Sequence, residues 1–202
     1  MQFNAPDPTI LHRENPSPSP RAKIFGIGWA KTGTTTLGRC FEILGYNHQS
    51  QNLSLVPKIV RGDFAKTLRI AASKESFEDW PWPLVYREMD AAFPGSRFVL
   101  TTRAPQRWLA SYRAMLAAEN PPTPEVRAIR YQLFGLNPET ASDEELVARF
   151  LAHNGEVLNY FKDRPGDLLV VDWESGDSWE KLCQFLHTPV PNDSFPHLNR
   201  RG

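Results

Sequence analysis

Hydrophobic residues recur along this chain in two alternating patterns, as short continuous apolar runs and as longer stretches with helical spacing. The runs Lys23–Ile27, Arg97–Thr102 and Leu168–Asp172 have the length of buried strands, and a shorter strand is expected to end near Asp79. Helical spacing is found between them, in Thr34–Leu44, Pro57–Ser73, Leu84–Phe93, Pro105–Tyr112, Val126–Phe134, Asp143–Phe161 and Asp177–Leu186. This alternation of strand and helix predicts an α/β protein with a parallel central sheet.

Local signals support several of these helix ends. Gly45 follows the first helix as a C-terminal cap, and Pro94–Gly95 stops a later one. Ser142 with Glu145 three positions on forms the capping-box pattern at the start of the longest helix. The polar stretch Tyr46–Leu55 gives no such signal, and its structure is not predicted.

The turn between the first strand and the first helix is rich in glycine and threonine. Glycine lets the backbone turn sharply and approach a ligand closely. The first N–H groups of a helix have no partner within it, and the helix dipole adds roughly half a positive charge there. An anionic group such as a phosphate is therefore expected on the segment from Gly33 to Thr36.

This loop departs from the P-loop of nucleoside triphosphatases at an informative position. When Gly28 and Gly33 are aligned with the glycines of G-x-x-x-x-G-K-[ST], Thr34 stands where the lysine belongs and Thr35 at the magnesium-binding hydroxyl. The lysine stands earlier, at Lys31. A kinase or hydrolase would lose its charge contact to the β- and γ-phosphates, so that function is the weaker interpretation. A glycine-rich turn without a ligand is a further alternative.

Composition bounds the number of domains and the class of partner. A chain of 202 residues, 41% of them hydrophobic, can bury one sizeable core, and we expect one domain over residues 21–202. Residues 1–20 are rich in proline and polar side chains and are expected to form an N-terminal tail. The 23 lysines and arginines balance 23 acidic residues, so no general attraction to nucleic acid or to a membrane surface is predicted.

The cysteines and the hydropathy bear on the compartment. Cys40 and Cys183 each lie in an apolar helical pattern without metal-ligand spacing, so buried free thiols are expected rather than a disulfide or a zinc site. No apolar run approaches the roughly 18 residues of a membrane span, and no signal-peptide pattern begins the chain. We expect a soluble, cytoplasmic protein without a bound metal, and a homodimer stays open.

A second anion-binding element follows the strand Arg97–Thr102. Arg103 stands at the carboxyl end of that strand, and Ser111 follows eight positions later on the next helix. In an open parallel sheet ligands bind at this edge, so Arg103 and the loop around Gly33 should face one crevice. A guanidinium gives a forked charge contact to a phosphate, and a hydroxyl adds a further donor. Taken alone, Arg103 would more readily be interpreted as the partner of a surface acid, but together with the first loop the phosphate role is favoured.

These motifs together resemble the compact sulfotransferases that use adenosine 3′-phosphate 5′-phosphosulfate (PAPS). Lys31 to Thr35 matches their 5′-phosphosulfate loop P-K-[ST]-G-T-T, with Ala30 where the family usually has proline. The resemblance continues through Asp79–Trp82, Phe93–Arg103, Leu168–Asp172 and Phe195–Asn199. It implies a three-layer, P-loop-like α/β fold with a central parallel sheet of about five strands.

The resemblance also assigns a ligand set. PAPS would be the donor and adenosine 3′,5′-bisphosphate (PAP) the product, with a small-molecule or conjugate acceptor and no metal. The 5′-phosphosulfate would be held by Lys31, Thr32, Gly33, Thr34, Thr35 and Thr36. Arg103 and Ser111 would hold the 3′-phosphate. Arg200 and Arg201 resemble the start of the family's closing loop, and a solvated basic tail is the alternative.

Sulfuryl transfer needs positive charge at the leaving oxygen and a base for the acceptor. Negative charge builds on the oxygen that bridges to the 5′-phosphate, and Lys31 is placed to stabilise it. Asp79 is our candidate base because it ends a strand just before Trp80–Pro81, where relatives have a histidine; a turn-capping role is the alternative. His48 is the next candidate. Glu78 and Glu88 are expected to point away.

Three functions from different classes stay open at this point. They are a PAPS-dependent sulfotransferase, which we favour, a nucleotide kinase or hydrolase on a degenerate P-loop, and a non-catalytic nucleotide-binding protein. The position of the lysine separates the first from the second. The acceptor is not identified by the sequence, although aromatic side chains suited either to a pocket wall or to the core are present at Trp29, Trp80, Trp82 and Tyr86.

Overall fold

A computed structural model describes residues 21–118 and 122–196, and the tail at 1–20 and the residues Arg200 and Arg201, for which roles were predicted, lie outside these ranges. Its centre is a five-stranded sheet in the order β2-β3-β1-β4-β5, in which every pairing is parallel. The strands are β1 (Ile24–Gly26), β2 (His48–Gln49), β3 (Ser76–Phe77), β4 (Arg97–Thr101) and β5 (Leu168–Val171). The predicted α/β class and parallel sheet are confirmed. Strand β2, which has only two residues, was not predicted.

Helices cover both faces of the sheet. They are α1 (Thr34–Ile43), α2 (Val56–Ile59), α3 (Ala65–Ser73), α4 (Tyr86–Ala92), α5 (Pro105–Ala118), α6 (Pro124–Phe134), α7 (Asp143–Tyr160) and α8 (Trp179–Leu186). The single helix suggested by the pattern of Pro57–Ser73 is wrong, because the chain breaks between α2 and α3. Gly62 lies in that break with a φ of 78°, a conformation that ends a helix.

Side chains alternate between the two faces along each strand and so create two core layers. Phe25 and Phe98 point into a cluster that holds Trp82, Met89 and Phe161, whereas Ile24 and Val99 point to the other side. The second layer is formed by the inner faces of α1 and α8, including both cysteines, which are free and buried as expected. This helix–sheet–helix arrangement is the predicted three-layer fold.

A third apolar cluster lies beyond the carboxyl ends of the strands, where the functional residues were expected. Trp29 packs there against Trp80, Trp108, Phe134 and Phe150. The rings of Trp108 and Phe150 stack with centroids 4.4 Å apart and planes 6° from parallel. The indole of Trp108 also donates a hydrogen bond to the carbonyl of Ala30, at 3.0 Å. Core packing therefore extends to the loop and fixes its first residues.

The two serine N-caps of this fold allow a matched test of helix capping. The Ser142 side chain accepts a hydrogen bond from the Glu145 N–H in a complete capping box, whereas Ser178 before α8 makes no such bond. Ser142→Ala should therefore lower the free energy of unfolding by about 1 kcal/mol, and Ser178→Ala by clearly less. Urea denaturation of the two variants measures both values. Equal losses would contradict the assignment.

Candidate functional site

The loop between β1 and α1 is anchored to the sheet before it reaches the helix. A Cβ at Gly28 would lie 2.8 Å from the backbone nitrogen of Thr101 and closer still to its carbonyl oxygen, so only glycine fits. The Thr32 hydroxyl donates to the Trp29 carbonyl at 2.6 Å and shares a second hydrogen bond of 2.6 Å with the Thr101 hydroxyl. Thr32, predicted to bind the donor, therefore has its side chain engaged with the protein.

The N-terminus of α1 follows this anchored segment without a side-chain cap. Gly33 precedes the helix at φ 96° and ψ 27°, and no side chain accepts the first helical N–H groups. The Lys31 backbone also has a left-handed conformation, with φ 74°. The side chain of Thr35 is exposed at this end, while those of Thr34 and Thr36 are buried. An uncapped helix start beside a lysine suits a phosphate group.

Asp79 lies against this helix start. It follows β3 with a φ of 62°, which is uncommon for a residue other than glycine. Its Oδ2 accepts a hydrogen bond from the Thr34 hydroxyl at 3.2 Å, and its Oδ1 accepts one from the Trp80 N–H at 2.7 Å. The structure thus brings the candidate base into contact with the start of α1. The hydrogen bond from the Trp80 N–H is the contact expected if Asp79 only caps the turn.

The environment of Asp79 changes its acidity. Burial, followed by the charge of Glu78, raises the pKa of Asp79 from 3.8 to about 6, although hydrogen bonds from the Trp80 N–H, Thr34 and Gln51 oppose this. A carboxylate with this pKa is still mostly ionised at neutral pH and is a stronger base than an ordinary aspartate. That combination suits general-base catalysis.

His48 and Glu78 lie together beside β3. The His48 side chain is only 8% exposed on β2, and its Nδ1 lies 2.9 Å from the Ser76 hydroxyl. The Glu78 side chain is 4% exposed, and its Oε1 lies 3.7 Å from His48 Nε2. These contacts join His48 to a buried carboxylate and not to the loop.

Arg103 meets the loop at the predicted edge of the sheet. Its Nη1 donates to the Lys31 carbonyl at 3.3 Å, and its Nη2 is bonded to the Glu174 carboxylate. Glu174 also accepts a hydrogen bond from Arg107 at 3.2 Å, and Arg103 is the main reason that the pKa of Glu174 is lowered. The Arg103 guanidinium thus lies against the loop, as the sheet edge predicts, and it also pairs with an acid, as in the alternative interpretation. Ser111 lies on α5, half-buried.

Several residues of this site were missed in the sequence. Trp173 and Glu174 follow β5, and the Trp173 indole donates to the Gly33 carbonyl at 3.2 Å. Because β5 ends at the same edge as β1 and β4, its following residues could have been identified from the sheet alone. His153 on α7 was also missed. Its ring nitrogen lies 2.8 Å from the Ile27 carbonyl, and burial lowers its pKa to about 4, so it is neutral at pH 7.

A cavity of about 170 Å³ lies beside Trp29, and it is lined in part by Tyr86, Arg87, Arg149 and Glu156. Neither Lys31 nor Asp79 lines it. Of the aromatic residues considered for an acceptor pocket, Trp82 is fully buried in the core. Within residues 21–118 and 122–196, no three His, Cys, Asp or Glu side chains are grouped to hold a metal, and no helix could cross a membrane.

Two comparisons with known proteins bear on this site. A family model described as a sulfotransferase domain matches residues 23–202. A protein from Aspergillus versicolor called Ava biosynthesis cluster protein M is 29% identical over 216 aligned residues, which cover 87% of this chain and 80% of that protein. The name of that relative does not state a reaction.

Gly33 gives a direct test of the loop. A Cβ there would lie 2.8 Å from Trp173 Nε1 and nearer to Cδ1, whereas a Cβ at Gly45, which also has a positive φ, would meet nothing within 4 Å. Gly45→Ala should therefore cost only the backbone strain, roughly 1 kcal/mol. Gly33→Ala should cost at least about 1 kcal/mol more, because the indole must also move.

Denaturant unfolding of the two variants measures this difference, and the intrinsic fluorescence reports the tryptophan environment. The double variant Gly33→Ala/Trp173→Leu should recover part of the excess loss, since the clash is then relieved. Equal costs at Gly33 and Gly45 would show that Trp173 does not constrain the loop.

Proposed function

Since the chain belongs to the sulfotransferase domain family, a family of transferases, we propose that it moves a sulfuryl group from PAPS to a hydroxyl or amine of a small-molecule or conjugate acceptor. The observation that carries this proposal is the hydrogen bond of 3.2 Å between Asp79 and Thr34. It joins a carboxylate with a raised pKa to the first turn of the phosphate-loop helix. The proposed base and the proposed anion site would then lie side by side.

PAPS supplies the activated sulfuryl group, and the residues around the α1 start suit its 5′ end. The uncapped N–H groups at Gly33 and Thr34, together with the exposed side chain of Thr35, would hold the phosphate. Lys31 would offset the charge that develops on the bridging oxygen. The buried Nε of Arg103 has no hydrogen-bond partner among the described residues, which is consistent with an unfilled anion contact there.

The proposed transfer is an in-line displacement. A bond forms between the acceptor oxygen or nitrogen and sulfur, while the bond between sulfur and the bridging oxygen breaks and PAP leaves. The acceptor proton passes to the carboxylate of Asp79, which returns it to solvent. Asp79 would act as the catalytic base and Thr34 would orient it. His48 is a weaker candidate because its contacts are with Ser76 and Glu78.

A nucleotide kinase or hydrolase is less well supported by the geometry. Such an enzyme needs a carboxylate near the end of a strand to hold its magnesium ion, and Asp172 directly follows β5. Both of its oxygens are used within the following turn, by the Glu174 N–H at 2.9 Å and the Ser175 hydroxyl at 3.1 Å. The free state of Cys40 and Cys183, which share one cluster, favours a reducing compartment such as the cytoplasm.

Binding of the donor product gives the first test of this function. PAP should raise the melting temperature, because a ligand that binds only the native state adds about 2.7 kcal/mol at a hundredfold excess over its Kd. ATP with magnesium should give a much smaller change. A thermal-shift titration measures both, and stabilisation by magnesium-ATP alone would favour a kinase.

Arg103→Ala refines this test. The variant should bind PAP and adenosine 5′-monophosphate almost equally, because the contact to the 3′-phosphate is lost. Arg39→Ala is the matched control, since Arg39 is an exposed arginine that pairs with Glu42 on α1. If Arg103→Ala kept the wild-type ratio of the two affinities, Arg103 would not read the 3′-phosphate.

Asp79→Asn tests the base. Its size and its contact with Trp80 are kept, but the basic carboxylate is removed, so turnover should fall by roughly tenfold or more while PAP affinity is unchanged. In the wild type the rate should fall as the pH drops below about 6, the pKa of Asp79, and this acid limb should be lost in the variant. Asp163→Asn, an exposed aspartate, is the control.

The same variant should be more stable than the wild type at neutral pH. The folded protein holds more protons than the unfolded chain between pH 3.8 and about 6, because burial raises the pKa of Asp79. The free energy of unfolding of the wild type therefore falls as the pH rises from 3.8 to about 6. At higher pH it stays at this lower value. Asparagine does not titrate, so position 79 adds no pH dependence to the free energy of unfolding of the variant. A stability difference that does not change with pH would contradict the raised pKa.

A further inference from the structure

We propose that Glu78, a buried residue directly before Asp79 at the end of β3, is a positioning residue that controls how readily Asp79 takes up and releases a proton. The inference rests on the proposed function, because it concerns the base of that site. Glu78 and Asp79 are consecutive, and their carboxylates leave the end of β3 in different directions. Asp79 contacts the phosphate loop, while Glu78 lies beneath α1.

The described residues around Glu78 satisfy only one of its two carboxylate oxygens. Its Oε1 accepts a hydrogen bond from the Ser50 hydroxyl and lies 3.7 Å from His48 Nε2, and His48 is fixed through its other ring nitrogen by Ser76. Its Oε2 has no hydrogen-bond partner among the described residues. A carboxylate with one unsatisfied oxygen is costly to bury, and an apolar side chain would serve a purely structural role better.

Helix α1 is shaped to cover this pair. A Cβ at Gly38 would lie 3.1 Å from Glu78 Oε1 and 3.1 Å from His48 Nε2, so a larger residue would press on both polar atoms. A Cβ at Gly26 on β1 would lie 3.0 Å from Glu78 Cβ. Two glycines thus let the helix that begins at the phosphate loop pack directly on the Glu78 carboxylate, which keeps that carboxylate out of water.

A buried negative charge beside Asp79 disfavours ionisation of Asp79, because like charges repel strongly where water is excluded. The groups that face Asp79 are the Thr34 hydroxyl from α1, the Gln51 side chain, the Trp80 N–H and Glu78. Of these, only Glu78 carries charge, and the three hydrogen bonds favour the ionised form. Glu78 therefore makes Asp79 a stronger base than its hydrogen bonds alone would allow.

The test is Glu78→Gln, which keeps the size of the side chain and an oxygen for Ser50. The pKa of Asp79, followed by carbon-13 NMR of its carboxyl group in the protein without nucleotide, should fall by roughly one unit. The acid limb of the rate profile should move to lower pH by the same amount. The plateau rate should fall by about threefold, since the base is weaker.

Glu75→Gln is the matched control. Glu75 precedes the same strand at its opposite end, where it accepts a hydrogen bond from the Asn47 N–H, and the variant makes the same change of charge. It should leave both the NMR titration and the rate profile of Asp79 unchanged. A role of Glu78 in stability alone would predict that Glu78→Gln also leaves the titration unchanged.

The outcomes separate this inference from the proposed function. An unchanged Asp79 titration in folded Glu78→Gln would overturn the inference. A shifted titration with an unshifted rate profile would confirm the coupling and remove Asp79 as the base. If Glu78→Gln does not fold, the wild type decides: a group coupled to a neighbouring carboxylate does not titrate independently, so the Asp79 curve should deviate from that of a single site, and a simple single-site curve would overturn the inference.

Discussion

The site depends on one turn, in which the chain leaves β1 and enters α1 through Gly33. A side chain there is excluded both by the left-handed backbone and by the indole of Trp173, which follows β5 on the other side of β4. The hydrogen bond from that indole to the Gly33 carbonyl ties the start of α1 to a distant strand. Because α1 begins at this turn, the direction of its uncapped N–H groups, and with it the place of any bound anion, is set by packing across the sheet.

Much of the fold could be predicted because its signals are local. Buried parallel strands have continuous apolar runs, and the capping box at Ser142 is visible in the sequence. Strand β2 could not be found, since its two polar residues gain their strand character only by pairing with β3. The residues of the site also divide into those that the sequence predicts and those whose contacts depend on tertiary structure. The rule for sheet edges predicts that Arg103 meets the loop and that residues after β5 lie nearby, whereas the pairing of Glu174 with Arg103 depends on the turn after β5.

Ala30 shows how this chain compensates for a departure from the family pattern. The resemblance predicts proline at this position, and proline would restrict the backbone before Lys31 by its ring. Here the Ala30 carbonyl is held instead by the indole of Trp108, which is itself stacked on Phe150 of α7. His153, also on α7, binds the Ile27 carbonyl. The rigidity of the loop is therefore supplied by tertiary contacts with α5 and α7.

The chain has no net charge, so its attraction for an anionic donor must come from local arrangement. Arg103 and Arg107 share the carboxylate of Glu174, which holds two guanidinium groups together that would otherwise repel each other. A phosphate that bound there would have to compete with this carboxylate, and its greater charge would favour the exchange. Glu174 therefore keeps the two guanidinium groups in position in the structure, and in the proposed donor site it would lower the affinity for a phosphate. The role proposed for Glu78 is related, since there too a carboxylate would change how a neighbouring group, Asp79, binds its partner, which is a proton.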